Sequence, residues 1–373
     1  MQRPEFAVRH HLLSNICVAL MSTVLCLVFA EGIFRFISYR DDVKTLYAFR
    51  SLGQVNNPSD ATQNISLRQM VRPSTNRKII YELVQNLSGL SQNKSLMINA
   101  QGFRGPAYST LKDDHTIRIV GLGDSYMFGW GVSDEECYLI ILSQHLNQSA
   151  PDEYHWEIIN TAVPGYNTVM EVETFKGKAL QYYPDLVIIE YVGNDLHLPN
   201  FIRKPDNYFS LSKSYMIEYF ASRLRRQQHA FDGILVDAPL HPYEHDFEND
   251  PSRVPEQYKD MVGIAAYRRA MAELKALSRQ YNFLVVVYTH GYFPVPVKES
   301  LQDLSFPSIE AGDIFKGYMV HHGIKEYMGS PLSVSRTDSH PSALGHAMVA
   351  GILFTYLHDS GVLNQILRRR GIL

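Results

Sequence analysis

The sequence predicts an α/β fold with a mainly parallel sheet covered by helices on both faces, preceded by one N-terminal transmembrane helix. Short apolar runs alternate with helical stretches along the second two thirds of the chain. That alternation is typical of βαβ units and of a parallel sheet. An uncharged apolar stretch near the N-terminus is long enough to cross a bilayer.

Composition and charge describe a protein that buries a core. Of the 373 residues, 45% are hydrophobic and 20% are charged, as in ordinary folded chains. The 23 glycines and 18 prolines show no period, which excludes a disordered or collagen-like chain. The 35 basic and 38 acidic residues give a net charge of −3, so no nucleic-acid partner is expected. Three cysteines exclude a disulfide-rich scaffold.

The N-terminal residues 1–37 are predicted to be a short tail and a membrane anchor. From Leu12 to Ala30, 19 residues carry no formal charge, and about 20 such residues cross a hydrocarbon core. A cleaved signal peptide is the alternative, because Arg3 and Arg9 precede the run. The run is longer than a usual signal core, and Val28-Phe29-Ala30 is not a small-x-small cleavage site. We therefore expect a retained anchor.

The flanking charges leave the orientation of this anchor open. Two arginines precede the apolar run, and four basic residues follow it: Arg35, Arg40, Lys44 and Arg50. The number of Lys and Arg residues therefore gives no clear orientation, and long domains translocate largely regardless of it. We expect a cytoplasmic N-terminus and an extracytoplasmic body, with a cytosol-facing body as the alternative.

Two further regions follow the anchor. Residues 38–115 are rich in Asn, Ser, Gln and Thr with weak periodicity, and are predicted to form a membrane-proximal stalk or cap. Residues 116–373 are predicted to form the α/β domain. An irregular insertion at about 196–256, rich in Pro, Tyr, Phe and His, interrupts that domain.

Apolar runs and helical periodicity place the elements of the α/β domain. The predicted strands are Ile117–Leu122, Trp156–Asn160, Leu186–Val192 and Phe283–Tyr288. The predicted helices are Tyr138–Leu146, Val169–Gln181, a helix within 257–281, and a last helix that opens at Pro341. Since ligands bind beyond the carboxyl ends of such strands, the residues that follow each strand are the informative ones.

Four short polar blocks occupy those positions. They are Gly123-Asp124-Ser125 after the first strand, the loop around Gly165 after the second, Gly193-Asn194-Asp195 after the third, and Asp338-Ser339-His340 before the last helix. Together they resemble the SGNH (GDSL-type) hydrolase superfamily over roughly residues 115–360. The matching residues are Ser125, Gly165, Asn194, Asp338 and His340.

Two details depart from the pattern of that superfamily. One residue, rather than two, separates Asp338 from His340, and Tyr126 stands where the GDSL pattern has Leu. The resemblance implies a flavodoxin-like three-layer sandwich, a serine ester hydrolase, and no cofactor or metal.

The residue types also suit this chemistry. A serine hydroxyl needs a base during attack, and His340 supplies an imidazole. Asp338 can fix the tautomer of that imidazole and stabilise the imidazolium. The backbone N–H groups of Ser125 and Gly165 and the side-chain amide of Asn194 are the candidate donors to an oxyanion. The predicted catalytic residues are therefore Ser125, His340 and Asp338.

Structural alternatives exist for the same residues. They are a helix cap for Ser125, a plain turn for Gly165, a loop pair for Asn194-Asp195 and a surface position for His340. We interpret Asp124 and Asp195 as hydrogen-bond acceptors that brace the loops. No second pair with matching spacing accompanies His197, so no metal site is predicted.

The leading functional hypothesis is a membrane-anchored serine esterase that acts on acyl or acetyl esters. A carbohydrate or cell-surface polymer is favoured over a simple lipid as the alcohol part of the substrate. The alternatives are an O-acyltransferase that uses the same serine and a non-catalytic glycan-binding scaffold. A water-excluding acceptor groove would favour transfer, and the complete set of residues argues against a scaffold. The expected partners are an ester substrate and, through the N-terminal helix, the membrane.

Overall fold

The first element is a long helix, α1, which runs from Pro4 to Arg50. It belongs to a computed structural model that describes residues 4–50, 62–150, 154–199, 201–221 and 253–372. Its stretch Ser14–Arg40 is long and apolar enough to cross a membrane, and no part of that stretch is buried in the protein. A signal sequence near the N-terminus also passes this test of length and hydropathy, so the helix alone does not distinguish an anchor from a leader.

Residues 62–115 form small elements that pack on the rest of the chain. They are helix α2 (Leu67–Met70) and strands β1 (Val71–Pro73), β2 (Tyr81–Leu83), β3 (Leu87–Ser91) and β4 (Lys94–Ile98). Strands β1 and β2 pair antiparallel, as do β3 and β4. Buried side chains from this region, such as Met70 and Tyr81, belong to the same core as the central sheet. The boundaries proposed at residues 37 and 115 stay predictions.

The central sheet consists of five parallel strands among the described residues. They are β5 (Thr116–Leu122), β6 (His155–Asn160), β7 (Leu186–Tyr191), β8 (Leu284–Thr289) and β9 (Ser308–Glu310). The order is β6-β5-β7-β8-β9. The α/β prediction and its four strands are confirmed, with ends that differ by at most one residue. Strand β9 was missed because its three residues contain one apolar side chain, too little for a pattern.

The strand order reverses between β5 and β7. Strand β6 pairs with one edge of β5, and β7 pairs with the other. Ligand sites of doubly wound sheets lie beyond the carboxyl ends of the strands at such a switch point. The loops that follow β5 and β7 carry Ser125 and Asn194.

Helices cover the sheet on both sides. They are α3 (Ser125–Phe128), α4 (Tyr138–Ser149), α5 (Thr168–Thr174), α6 (Gly263–Tyr281), α7 (Val295–Asp303), α8 (Gly312–His321), α9 (Ala343–Asp359) and α10 (Val362–Arg369). The step from β5 to β6 runs towards one edge of the sheet, and the step from β6 to β7 runs in the opposite direction. Because both crossovers are right-handed, the helices that they contain, α4 and α5, lie on opposite faces of the sheet. Helix α9 packs with α4, and α6 packs with α5.

Three helix boundaries differ from the prediction. The predicted helix Val169–Gln181 is α-helical only as far as Thr174. It continues as π-helical turns over Phe175–Ala179 and a 3₁₀ turn over Leu180–Tyr182. Within 257–281, a 3₁₀ turn over Glu256–Met261 precedes α6. The helix predicted to open at Pro341 begins at Ala343, and it is not the last, because α10 follows it.

The start of α9 follows from its cap. The Ser342 side chain accepts the backbone N–H of Gly345 at 3.2 Å, as a serine N-cap does. Pro341 instead ends strand β11 (Asp338–Pro341), which pairs antiparallel with β10 (Ser333–Ser335).

The predicted insertion is described only in part. Residues 201–221 are described and turn helical from 215 to 221. Residues 222–252 of the predicted insertion lie outside the described residues, so its full extent stays a prediction.

Candidate active site

Ser125 lies at the junction between β5 and α3. The preceding residue, Asp124, is the N-cap of α3, and its carboxylate accepts the backbone N–H of Tyr126 at 2.9 Å. The bracing role predicted for Asp124 is therefore confirmed. Since Asp124 does the capping, the Ser125 hydroxyl is available for other contacts, and the residue is partly exposed.

His340 connects Ser125 to Asp338. Its Nε2 lies 2.7 Å from Ser125 Oγ, and its Nδ1 lies 2.5 Å from Asp338 Oδ1. An Nδ1–H that donates to the carboxylate leaves Nε2 free to accept the serine proton. The structure thus brings the three predicted residues into one hydrogen-bonded chain, while their catalytic role stays a prediction.

The short Asp-x-His spacing is explained by the backbone. Both residues lie on strand β11, and alternate residues of a strand point to the same face. The backbone N–H of His340 also donates to Asp338 Oδ1 at 3.0 Å. One intervening residue is therefore enough to hold the carboxylate against the imidazole.

Asp338 is held in its ionised form. Burial raises the pKa of this half-buried carboxyl, but hydrogen bonds and charge from His340 and a hydrogen bond from Gln92 outweigh it. The resulting pKa is about 2. At neutral pH the carboxylate can thus stabilise a positive imidazolium.

Gln92 is a site residue that sequence reasoning missed. Its Nε2 donates to Asp338 Oδ2 at 3.2 Å, on the oxygen that His340 does not use. Gln92 lies in the turn between β3 and β4, where it has a left-handed φ of 52°. No local signal marks it, because the contact joins positions 246 residues apart.

Two aromatic rings pack beside the His340 imidazole. The ring centroids of Tyr126 and Trp130 lie 5.1 and 6.1 Å from that of His340. The Tyr126 hydroxyl also donates to the carbonyl of Ser339 at 3.4 Å. These rings limit the movement of the imidazole, and Tyr126 occupies the position where the GDSL pattern has Leu.

A buried arginine holds the loop that follows α3. Arg104 donates to the carbonyls of Phe128, Gly129 and Val132 at 2.7, 2.6 and 2.8 Å. Its Nε also pairs with Asp134 at 2.7 Å. Sequence reasoning assigned no role to Arg104, so this contact was missed.

Gly165 has a conformation and a neighbour that both require glycine. Its φ is +81°, in the left-handed region, and a Cβ there would lie 2.9 Å from the Tyr81 hydroxyl. That hydroxyl donates to the carbonyl of Pro164 at 2.7 Å. Gly165 is thus more than a plain turn, because its loop is fastened to the region before the sheet.

Asn194 joins the loops that follow β5 and β6. Its Nδ2 donates to the carbonyl of Tyr166 at 3.3 Å, and its side chain lies near the Asp124 carboxylate, where it partly offsets the rise that burial causes in the pKa of that carboxyl. The amide therefore lies between the Ser125 block and the Gly165 block. That Gly165 and Asn194 stabilise an oxyanion stays a prediction.

Asp195 braces the third loop, as predicted. Its carboxylate accepts the Val192 N–H at 2.5 Å and the Thr168 hydroxyl at 2.7 Å. Burial and the nearby charge of Asp124 raise the pKa of Asp195 well above its ordinary value.

A second carboxyl–imidazole pair lies beneath the site. Glu190 accepts a hydrogen bond from the Tyr138 hydroxyl at 2.9 Å and lies 3.3 Å from His290 Nδ1. Burial, followed by the charge of Asp124, raises the pKa of Glu190 well above its ordinary value. Burial lowers the pKa of His290 to about 3, so burial favours the uncharged form of both members.

Among the residues that the structure describes, no group of three or more His, Cys, Asp or Glu side chains is arranged to hold a metal ion.

Neither a protein-family model nor a curated protein sequence matches the chain. A lipase/acylhydrolase from Enterococcus faecalis is similar at 14% identity and a TM-score of 0.36, over 65% of this chain and 95% of that one. An acetyl xylan esterase is similar at 13% identity and a TM-score of 0.40, over 65% of this chain and 100% of that one. A catalytic mutant of an acetylxylan esterase from Geobacillus stearothermophilus is similar at 13% identity and a TM-score of 0.37, over 66% of this chain and 94% of that one.

These three structures are of ester hydrolases, the class that the four sequence blocks resemble. At such identities and TM-scores the likeness does not assign an activity to this chain.

Proposed function

We propose that this protein is a serine ester hydrolase that acts through Ser125, His340 and Asp338. The observation that carries the proposal is the hydrogen-bonded chain from Ser125 Oγ through His340 to Asp338, with contacts of 2.7 and 2.5 Å. A nucleophile, a base and a group that orients the base, each within hydrogen-bond reach, form the arrangement that activates a serine.

The reaction begins when Ser125 Oγ attacks the acyl carbonyl carbon and its proton passes to His340 Nε2. The Asp338 carboxylate keeps the Nδ1–H bond and stabilises the imidazolium. When the tetrahedral intermediate collapses, His340 returns the proton to the leaving alkoxide, and the alcohol departs. Water then attacks the acyl-serine with His340 again as base, which releases the carboxylic acid and restores Ser125.

The oxyanion of each intermediate would be bound by the N–H groups of Ser125 and Gly165 and by the Asn194 amide. The Asn194 donation to Tyr166 at 3.3 Å is long for an N–H···O bond. We expect the oxyanion to replace this bond, while the contact with Asp124 keeps the side chain in place. One such donor is typically worth about 3 kcal/mol of the barrier.

The proposed substrate is an acyl or acetyl ester of a carbohydrate or cell-surface polymer. Trp130, partly exposed and beside His340, offers a flat apolar surface next to the reacting atoms, which suits a sugar ring or an acyl chain. The protein is proposed to be retained in the membrane by α1, with the α/β domain outside the cytoplasm.

The proposal is tested by labelling the full-length protein with a fluorophosphonate probe. We expect the wild type to be labelled on Ser125, Ser125→Ala to be unlabelled, and the exposed-serine control Ser360→Ala to be labelled as the wild type. A panel of p-nitrophenyl esters and acetylated sugars then defines the substrate, and added sugar acceptors reveal any acyl transfer. An unlabelled wild type, or a labelled Ser125→Ala, would contradict the proposal.

A further inference from the structure

Two opposite charges lie where the apolar run of α1 ends. Glu31 and Arg35 form an ion pair at 2.8 Å one helical turn apart. They follow Leu12–Ala30, whose 19 uncharged residues extend about 28 Å as a helix, close to the thickness of a hydrocarbon core. If α1 spans a bilayer, the pair lies at the bilayer edge, where charged groups need partners.

Residues 207–221 of the chain, here called the docking segment, supply those partners. Arg35 donates to the carbonyls of Tyr208, Ser210 and Lys213 at 2.5, 2.8 and 3.1 Å. Three groups thereby accept the guanidinium hydrogens that a lipid environment would leave unpaired.

Glu31 binds the other end of the docking segment. Its carboxylate accepts the Ser214 hydroxyl at 2.7 Å and the backbone N–H groups of Tyr215 and Met216 at 3.0 and 3.1 Å. These N–H groups open the helical turns 215–221, so Glu31 caps the docking segment from another helix, where a negative charge is favourable.

Aromatic contacts extend the same interface along α1. The Phe34 ring lies 4.9 Å from that of Tyr219 and 5.6 Å from that of Phe220. Farther along α1, the rings of Tyr39 and Tyr208 lie 5.6 Å apart. Aromatic side chains of this kind are enriched at membrane–water interfaces.

The order of these contacts gives the direction of the docking segment. Tyr208 lies beside Tyr39, residues 210 and 213 beside Arg35, and residues 214–216 beside Glu31. The docking segment therefore approaches the apolar run of α1 as it proceeds from residue 208 to residue 216.

The docking segment also exposes large apolar side chains. Phe209 and Leu211 are 94% and 93% exposed, and Ile217 and Phe220 are more than half exposed. Apolar groups clustered beside an apolar helix form a continuous surface, and such patches mark membrane or protein contacts.

We propose that the docking segment is a membrane-interface element whose partner is the lipid bilayer that α1 crosses. Its apolar side chains insert at the boundary between headgroups and acyl chains, and the Glu31–Arg35 pair clamps it to α1. The bilayer is the occupant because the exposed side chains continue the apolar surface of α1. The inference requires α1 to be retained, and it does not depend on hydrolytic activity.

The test places a fluorophore at Leu211 of the full-length protein in phosphatidylcholine vesicles. Leu211→Cys is made in a Cys17→Ala, Cys26→Ala background, in which the remaining Cys137 is buried. The fluorophore is environment-sensitive, and quenchers are attached to the lipid chains. The matched control is Leu111→Cys, a leucine that is 85% exposed in the loop before β5, at the opposite end of the sheet from the site.

We expect several-fold stronger lipid quenching at position 211 than at position 111, together with a blue shift at 211 only. A separate sample labelled at native Cys26 reports whether α1 is in the bilayer. Quenching at Cys26 without quenching at 211 would overturn the inference and leave α1 as a span. Quenching at neither position 211 nor position 26 would overturn both the inference and the assignment of α1 as a membrane anchor.

The clamp is tested in the labelled Leu211→Cys protein by Arg35→Gln, which removes the donors to three carbonyls. We expect this change to lower the quenching at 211 severalfold, while the charge-matched control Arg68→Gln, an exposed arginine on α2, leaves it unchanged. Equal quenching in both variants would overturn the role of the clamp.

Discussion

Asp338–His340 and Glu190–His290 are two carboxyl–imidazole pairs within one α/β domain. In the first pair the oxygen and Nδ1 lie 2.5 Å apart, both side chains are about one fifth exposed, and Nε2 contacts Ser125. In the second pair the distance is 3.3 Å and the Glu190 side chain is fully buried. Among the described residues, Nε2 of His290 has no hydrogen-bond partner.

Their different surroundings give these two pairs opposite protonation behaviour. Hydrogen bonds and charge hold the pKa of Asp338 at about 2, so that it is an anion at neutral pH. Burial raises the pKa of Glu190 and lowers that of His290 to about 3, so that burial favours the uncharged form of both groups. A carboxyl and an imidazole thus form, in one place, a pair whose anionic carboxylate suits the stabilisation of an imidazolium and, in the other, a buried packing element.

The largest expected contrast comes from the same change in both imidazoles. His340→Gln removes the base and should lower kcat/KM for p-nitrophenyl acetate by roughly 10⁴–10⁶-fold. His290→Gln should lower kcat/KM by no more than about tenfold, because His290 contacts the site through the Tyr126 ring, 5.3 Å away. Equal losses in two variants that both fold by circular dichroism would remove the distinction between the pairs.

Amide substitution sharpens the comparison at the carboxyl members. Asp338→Asn removes the charge that stabilises the imidazolium, and should lower kcat by about 10⁴-fold, as the same change does in other triads. Glu190→Gln puts an uncharged group where burial favours the protonated carboxyl, and should change kcat by less than about threefold, under 1 kcal/mol of barrier. A large loss in Glu190→Gln would show that this carboxyl acts as an anion.

The two carboxyls should also affect thermal stability with opposite signs. The folded chain holds the Glu190 proton above the unfolded pKa of about 4.3, so this group lowers stability as pH rises from there towards its raised pKa. Asp338 contributes stability above its unfolded pKa of about 3.9, and loses it as pH falls through about 2.

Melting temperatures of the two amide variants measure this difference. From pH ~5 to ~8, the melting temperature of Glu190→Gln should rise relative to that of the wild type. The expected rise is about 2–4 °C for each kcal/mol of unfolding free energy that the wild type loses through Glu190. Asp338→Asn should melt below the wild type at neutral pH and approach it below pH ~3.9. Parallel pH curves for the wild type and Glu190→Gln would contradict the raised pKa of Glu190.

The smallest expected effect concerns Gln92. Asn tolerates the left-handed φ of this position but is too short to reach Asp338, so Gln92→Asn removes one hydrogen bond with little backbone strain. We expect kcat to fall by up to about fivefold, about 1 kcal/mol, with KM unchanged. Substitution of Asp338 first should abolish the effect in a double-mutant cycle, whereas an additive loss would show that Gln92 acts elsewhere.

The sequence was sufficient for the features that are local. Four sheet strands were found because each is a short, largely apolar run. The blocks around Ser125, Asn194 and His340 were found because each lies beside a predicted element. At Pro341 two helix-start signals competed: the prediction used the proline, but the Ser342 cap determines where α9 begins.

The missed site residues reach the site only through tertiary packing. Gln92 depends on the β3–β4 turn being placed against β11, and Arg104 on a loop 25 residues farther along the chain. Neither residue has a periodic pattern or a motif around it. Their partners are set by how residues 62–115 pack on the sheet, which no short window of sequence records.

The separation of Ser125 and His340 along the chain has a consequence for synthesis. The two residues are 215 positions apart, and a ribosome adding about 5–20 residues per second makes the serine on the order of ten to forty seconds before its base. A nascent chain therefore carries the nucleophile without the imidazole that activates it. The proposed activity therefore begins only after His340 has been made, and fragments that end before β11 are inert.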